Sequence, residues 1–307
     1  CGSVTHAAVN PTGEQYEIAA GGRHAVITEV GATLRSYAVD GRDVVRGFAA
    51  DEVIHGGRGQ QLLPWPNRIR DGRYTFDGVA QQLSLSEPDR HNAIHGLVRH
   101  VPWRLVAHTA DRVEQLVRVY PQLGWPGAIE ATIVHTVGDD GVVTELTVTN
   151  IGVGPVPFGY AAHPYLTVGE DTVDDVVIRV PAERYLAVDD RLLPLDLILV
   201  EGRDEDLRTA EVLGSRRFDT ALAGLARGAD GRWRARLQRG DRWAELWAGE
   251  GLDWIQVFTG NDRRDLSIAL EPMTCGPNAF NPGPTHDGMI TLPAGGSVSY
   301  AWGIDGA

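Results

Sequence analysis

The stretch that decides the fold runs from Ala128 to Thr149, AIEATIVHTVGDDGVVTELTVT. Ile129, Ala131 and Ile133 alternate with Glu130, Thr132 and Val134. After the turn, Val142, Thr144, Leu146 and Val148 alternate with Val143, Glu145, Thr147 and Thr149. A period of two sends successive side chains to opposite faces, so each half reads as a strand with one face toward a core and one toward water. Asp139-Asp140-Gly141 between the halves is a turn signal, and the whole reads as an antiparallel hairpin.

The same rhythm extends in both directions. Toward the N-terminus, Tyr16 to Ala19 ends at Gly21-Gly22, His24 to Val30 follows, and Thr33 to Val39 runs to Asp40-Gly41. Arg73 to Phe76 and Gln81 to Leu85 flank Asp77-Gly78, a dipeptide that suits the positive-φ positions of a type I′ hairpin turn. Toward the C-terminus, strands are expected at Trp233 to Arg239, Arg242 to Ala248, Trp254 to Thr259, Leu266 to Leu270 and Ser297 to Ile304. Only Glu205 to Leu213 reads as a helix. With no internal repeat, low-complexity tract or linker, the expectation is one all-β domain over residues 1–307, an antiparallel sandwich or barrel.

Composition excludes several kinds of chemistry. All 28 basic residues are arginine; the chain contains no lysine. A lysine Schiff base, a P-loop and the ATP-pairing lysine of a kinase are therefore impossible. The formal charge of -13 argues against nucleic acid or an anionic membrane as partner, because neutralising phosphates needs a basic surface. No apolar run reaches the length of a membrane-spanning helix. The two cysteines, Cys1 and Cys275, make neither a disulfide framework nor a zinc quartet, and a cytoplasmic location is expected. Cys1 is left open between a cloning remnant and the lipidated cysteine of a processed lipoprotein.

Four segments carry polar residues among apolar, aromatic and Gly/Pro-rich neighbours: Leu63 to Ile69 (LPWPNRI), Asn92 to Arg99 (NAIHGLVR), Tyr160 to Leu166 (YAAHPYL) and Leu270 to Asn281 (LEPMTCGPNAFN). Glu271 follows an apolar strand, where desolvation raises a carboxylate's pKa and suits it to proton transfer. His163 precedes a proline, which holds its backbone extended. His91 and His95 are four apart, a zinc-like spacing only on a helix, and Pro88, Asn92 and Gly96 argue against one; no metal is expected. No Gly-x-Ser-x-Gly elbow and no dinucleotide fingerprint occur. Two readings follow from the residues. In one, the loops or a concave face bind a small polar ring, with His and Glu as acid and base. In the other, the glutamate is paired with an arginine and the histidines are satisfied in the core.

At these segments the chain resembles the aldose 1-epimerase (galactose mutarotase) family, nearly end to end. The matching residues are Pro64 to Phe76 (PWPNRIRDGRYTF), Asn92 to Gly96, His163-Pro164-Tyr165, the aspartate of Arg217-Phe218-Asp219-Thr220, and Glu271-Pro272, in one order and spacing. The wording Glu-Pro-Met-Thr-Cys-Gly-Pro-Asn-Ala-Phe-Asn and His-Gly-Leu-Val-Arg is closer to a bacterial subgroup than to the enzymes of galactose metabolism.

The resemblance implies a galactose mutarotase-like supersandwich, a large antiparallel β-sandwich. It also implies an enzyme that interconverts the α and β anomers of a free hexose without cofactor, as a monomer or homodimer. It implies Glu271 and His163 as the catalytic base and acid, with His95, Arg68, Asp219, Asn67 and Tyr165 binding the sugar. Within that set, His95 and Arg68 would hold the ring oxygen and nearby hydroxyls. Asp219 would accept hydrogen bonds from hydroxyls remote from C1, and Asn67 would order the Arg68 loop. Trp65, Trp125 and Trp254 read equally as core or as sugar platform. Arg70 and Arg99 read as solvated rim unless they face the pocket, where a guanidinium would suit an anionic sugar. Two further functions stay in view: a 1-epimerase of hexose 6-phosphate or another anionic sugar, and a sugar-binding module without catalysis.

Overall fold

The computed structural model describes residues 9–169, 172–260 and 266–307, so Cys1 lies outside the described residues. The decisive hairpin is present as Ile129–Gly138 and Gly141–Asn150, paired from Ile129↔Asn150 to Gly138↔Gly141. Positive φ falls on Gly141 (86°). Burial alternates along both strands, and the inward set includes His135 and Thr144, whose side chains bond each other at 2.9 Å. A polar pair thus occupies two positions of the apolar face, and burial pushes the His135 imidazole down to about 4.

The hairpin sits in a nine-stranded sheet, where Gly141–Asn150 pairs with Ser297–Gly306. A twelve-stranded sheet packs against it. Ile18, Ile27 and Leu34 from the larger sheet share one apolar core with Val113, Ile133, Leu146 and Ile304 from the smaller. The chain is therefore an all-β, antiparallel two-sheet sandwich, in which each sheet buries its apolar face against the other. Among the described residues, helix is confined to the short 3₁₀ turns Pro88–Arg90, Val173–Asp175 and His286–Gly288. No helix there is long and apolar enough to cross a membrane.

Two local readings change. Asp77-Gly78 does form the expected turn, with φ of 48° and 75°, but the second strand is Val79–Gln82 rather than Gln81 to Leu85. A two-residue turn restores pairing at once, at Phe76↔Val79. Glu205 to Leu213 is not a helix: it is a run of turns ending in the edge strand Glu211–Val212. Asp206 Oδ1 accepts from the Arg208 amide, and the Arg216 guanidinium donates to the carbonyls of Asp204, Val212 and Leu213. These bonds satisfy carbonyls that a helix would otherwise need to pair internally.

The larger sheet also buries part of its outer face. Leu62, Ala161, Ala221, Ala223, Trp254 and Met273 form a second apolar cluster there. The strand Ile268–Met273, between Tyr165–Leu166 and Trp254–Phe258, is consequently buried on both sides along its length. A carboxylate on this strand is held out of bulk water by the architecture.

Candidate active site

Period two divides Ile268–Met273 between the faces: Ile268 and Leu270 enter the inter-sheet core, while Met273 joins the outer cluster. Glu271 shares Met273's side. Its neighbour Gln256 lies directly opposite on Trp254–Phe258, and Asp219 opposes Phe258 one strand further on.

His163 reaches Glu271 by the same register. Ala161 pairs with Met273 and Tyr165 with Ala269, so the segment holding His163 runs antiparallel past Glu271. The result is a contact of 3.2 Å between His163 Nε2 and Glu271 Oε1, with both side chains almost wholly buried. Backbone bonds fix the histidine on both sides, from its amide to the Gln60 carbonyl and from the Gly59 amide to its own carbonyl. Tyr165 stacks on its ring at 5.2 Å, and Gly57, at φ 72°, brings the loop so close that a Cβ there would stand 3.0 Å from Cδ2.

His95 and Arg68 come from a separate two-stranded ribbon, Arg68–Arg70 with Asn92–Ile94. Asn67 and His95 both take left-handed backbone angles, φ 50° and 63°. The Asn67 amide donates to His95 Nδ1 at 3.2 Å, which leaves the imidazole proton on Nε2. The Asn67 side chain accepts from the Arg68 amide and guanidinium. Arg68 in turn donates through Nε and Nη2 to Glu87, at 2.9 and 3.0 Å.

A cavity of about 390 Å³ lies over these groups, lined by Asn67, Arg68, His95, His163, Asp219 and Glu271. That is room for one small ring. Tyr165 is the exception among the expected sugar-binding residues: it backs His163, and its hydroxyl donates to the Gly56 carbonyl. Trp65 and Trp125 pack into the inter-sheet core, and Trp254 into the outer cluster. Arg70 faces Asp189 at 3.6 Å, whereas Arg99 lines the cavity. His91 pairs with Asp71, apart from His95, and among the described residues no three His, Cys, Asp or Glu side chains converge as metal ligands would.

Two further lining residues escape the motif reading, Gln256 and Glu87. Gln256 donates to Asp219 Oδ1 at 2.7 Å, and its signal was available: it is the one polar residue in Trp-Ile-Gln-Val-Phe. Glu87 carries no pattern, since its partners Arg68, Arg90 and Asn92 converge only in the fold.

The electrostatics are uneven. Burial drives the Glu271 carboxyl well above its usual range, aided by the like charge of Asp219 and opposed by Arg68. Burial pushes His163 down to about 3, with Arg99 adding to the effect. His95 is also well below its ordinary value, through burial and then Arg99. Both imidazoles are therefore neutral near neutral pH, and burial on both sides of the Glu271–His163 contact works against the ionised form of each partner. Among the described residues, Glu271 Oε2 is buried without a hydrogen-bond partner. Orphaned polar atoms of this kind are costly, and a polar guest relieves the cost.

The chain matches the family model for aldose 1-epimerase over residues 14–304. It is 30% identical over 284 residues to the uncharacterized protein YihR of Escherichia coli, covering 92% of this chain and 90% of that one. It is 26% identical to the aldose 1-epimerase of Escherichia coli, covering 83% and 81%. Among solved structures, a galactose mutarotase-like protein from Clostridium acetobutylicum superposes with a TM-score of 0.84 at 16% identity, over 95% of this chain and 94% of that one.

Proposed function

The chain belongs to the aldose 1-epimerase family, and from that premise we propose that it interconverts the α and β anomers of a free hexose. The observation that carries the reading is the 3.2 Å contact between His163 and Glu271 on the floor of a ring-sized cavity.

Ring opening must remove the proton from O1 and deliver one to the ring oxygen O5. Glu271 as carboxylate takes the first, and His163 as imidazolium gives the second. The C1–O5 bond breaks, C1 becomes an aldehyde, and rotation about C1–C2 presents its other face. Closure runs backward: the Glu271 acid returns a proton to O1, and neutral His163 accepts one from O5. The pair holds one proton throughout. Its charge-separated form opens the ring and its neutral form closes it, and the two differ only by a proton's position across one short contact. Burial favours the neutral form, while a sugar's hydroxyls supply the hydrogen bonds that make the charge-separated form accessible. His95 offers its Nε2 proton, Arg68 its guanidinium, and Asp219 accepts from sugar hydroxyls. Asn67 and Tyr165 hold Arg68 and His163 in place. Positioned proton transfer accounts for about 10²–10⁴-fold of rate.

The test is polarimetry on freshly dissolved α-glucose and α-galactose, with Glu271→Gln alongside wild type. The expected result is acceleration over buffer that disappears in the variant while sugar binding persists. A variant with the wild-type rate overturns the assignment of Glu271. Sugar binding by the wild type with no acceleration of any sugar would leave a binding protein instead.

A further inference from the structure

The ribbon that carries Arg68 and His95 stands outside both large sheets. Its first strand is bonded to one loop, with the Asn278 amide donating to the Arg68 carbonyl and the Arg70 amide to Asn278 Oδ1. Its far end is held from elsewhere. Arg191 lies at the tip of the hairpin formed by Ala182–Val188 and Pro194–Leu199. That hairpin is the edge of the twelve-stranded sheet, beside Asp219–Leu225. The tip is preset: Asp189 Oδ1 accepts from the amides of Arg191 and Leu193, both at 2.9 Å, and Leu192 takes φ 59°.

From there the Arg191 guanidinium reaches across to the ribbon. Nε donates to the Arg90 carbonyl at 2.9 Å. Nη2 donates to Asp71 Oδ1 at 2.8 Å, to the His91 carbonyl at 2.9 Å and to Asn92 Oδ1 at 3.3 Å. Asp71 follows the first ribbon strand and Asn92 opens the second, so one side chain spans both. Arg70 and Asp189, 3.6 Å apart, add an ion pair beside it.

These contacts lead inward. Asn92 is fully buried, and its amide offers one end to each of two partners. Oδ1 accepts from Arg191, while Nδ2 donates to Glu87 at 3.0 Å. Arginine has only donors and an ionised carboxylate only acceptors, so the pair permits one orientation of the amide. Asn92 and Glu87 also exchange backbone hydrogen bonds, at 3.0 and 3.1 Å. Glu87 then accepts from Arg68 at 2.9 and 3.0 Å. A continuous path runs from the edge of the larger sheet through Arg191, Asn92, Glu87 and Arg68 to the cavity.

We infer that Arg191 is a positioning residue, which fixes the ribbon bearing Arg68 and His95 against the sheet bearing Asp219 and Glu271 and so sets the width of the sugar site. The cavity lining includes Glu87 and Arg68 but not Arg191, so Arg191 acts on the sugar through them. This rests on the mutarotase reading only in that the cavity holds a sugar. His163 has anchors of its own, in its backbone bonds to Gln60 and Gly59. Loosening the ribbon therefore weakens binding of substrate and transition state alike and spares proton transfer. Its signature is a raised KM at nearly constant kcat. A general loss of folded protein does the reverse, lowering the apparent kcat at constant KM.

Arg191→Met keeps the apolar stem and deletes the hydrogen bonds, and the side chain is 29% exposed, so the variant should fold. Steady-state polarimetry with glucose and galactose should show KM about ten-fold higher and kcat within about three-fold of wild type. Hydrogen exchange should quicken at the amides of residues 92–94 and stay unchanged in Ile129–Gly138. Combined with Glu87→Gln, Arg191→Met should raise KM no further than the worse single variant, because both break one path. An unchanged KM, a fall confined to kcat, or multiplied KM effects in the double variant overturns the proposal. The two readings fail separately. A wild type that accelerates no sugar removes the mutarotase reading, and Arg191 is then tested by calorimetric sugar titration. A Kd raised about ten-fold in Arg191→Met, with faster exchange in the ribbon, supports its role, and an unchanged Kd overturns it.

Discussion

Two acid–base contacts about 3 Å long lie within the same cavity, and they are built in opposite ways. Glu87 at the rim is saturated. It accepts from Arg68, Arg90 and Asn92, and although burial works to raise its pKa, the Arg68 and Asn92 hydrogen bonds win and hold it low. Glu271 on the floor has His163 at 3.2 Å, and its other oxygen has no partner among the described residues. Burial there wins, and its pKa goes up. A saturated carboxylate is a girder, because its proton affinity is too low to take part in exchange near neutrality. A starved one keeps a proton within reach of a substrate. Burial alone does not separate the two roles; the number of donors does.

The largest effect that would sharpen this contrast is catalytic. Glu271→Gln and His163→Asn should each cut the rate by about 10²–10⁴-fold. The double variant should be no slower than the worse single one, because a proton circuit is broken once. Additive losses measured by polarimetry would mean that the two residues act independently.

Next comes stability at the rim. Glu87→Gln leaves Arg68 short of its counter-charge in a largely buried place. Breaking such a pair costs about 3–5 kcal/mol when fully buried, and the partial exposure here points to the lower end. Chemical denaturation should show the loss, with a raised KM. The floor should respond with the opposite sign. Because the folded-state pKa of Glu271 is raised, its contribution to stability is intact below about pH 4.5 and declines as pH rises toward the folded value. Glu271→Gln removes that decline, so it should melt a few degrees above wild type at pH 8, with the gap closing toward pH 4. A variant less stable than wild type at pH 8 would break the comparison.

A third effect lies in acid. His163 and His135, with folded pKa values of about 3 and about 4, stay neutral while the unfolded chain takes up protons near pH 6.5. Stability should fall as pH drops below that point, and His135→Gln should soften the fall. The smallest effect concerns the packing behind the site. Tyr165→Phe deletes one hydrogen bond to the Gly56 carbonyl, worth about 1 kcal/mol, and leaves the ring stacked on His163. KM should move a few-fold at most, whereas Gln256→Leu, which strips Asp219 of its 2.7 Å donor, should raise KM about ten-fold.

Much of the fold was legible because its signals are local. The alternation around Asp139-Asp140-Gly141 and the Asp77-Gly78 turn read correctly, since both depend on neighbours in the chain. Glu205 to Leu213 misled because its composition suits a helix, while Asp206 and the distant Arg216 take the backbone groups a helix needs. His163, Glu271, Arg68 and His95 could be singled out as polar residues in apolar or glycine-rich company, whereas Asp219 came only from the family resemblance. Their partners could not. Asn67 and His95 lock each other through a left-handed turn, and Glu87 joins Arg68 across a loop; neither follows from spacing.

By itself, the sequence determined the class of structure and the limits of the chemistry. Side-chain period and turn residues specify antiparallel strands, and a chain without lysine can form no Schiff base. Only the tertiary structure decided that His163 faces Glu271, that Glu87 rather than Glu271 takes Arg68, and that Arg99 rather than Arg70 enters the cavity. The physical reason is range. Strand formation is governed by residues one or two apart, whereas proton affinity and ion pairing depend on burial and on charges brought together from remote parts of the chain.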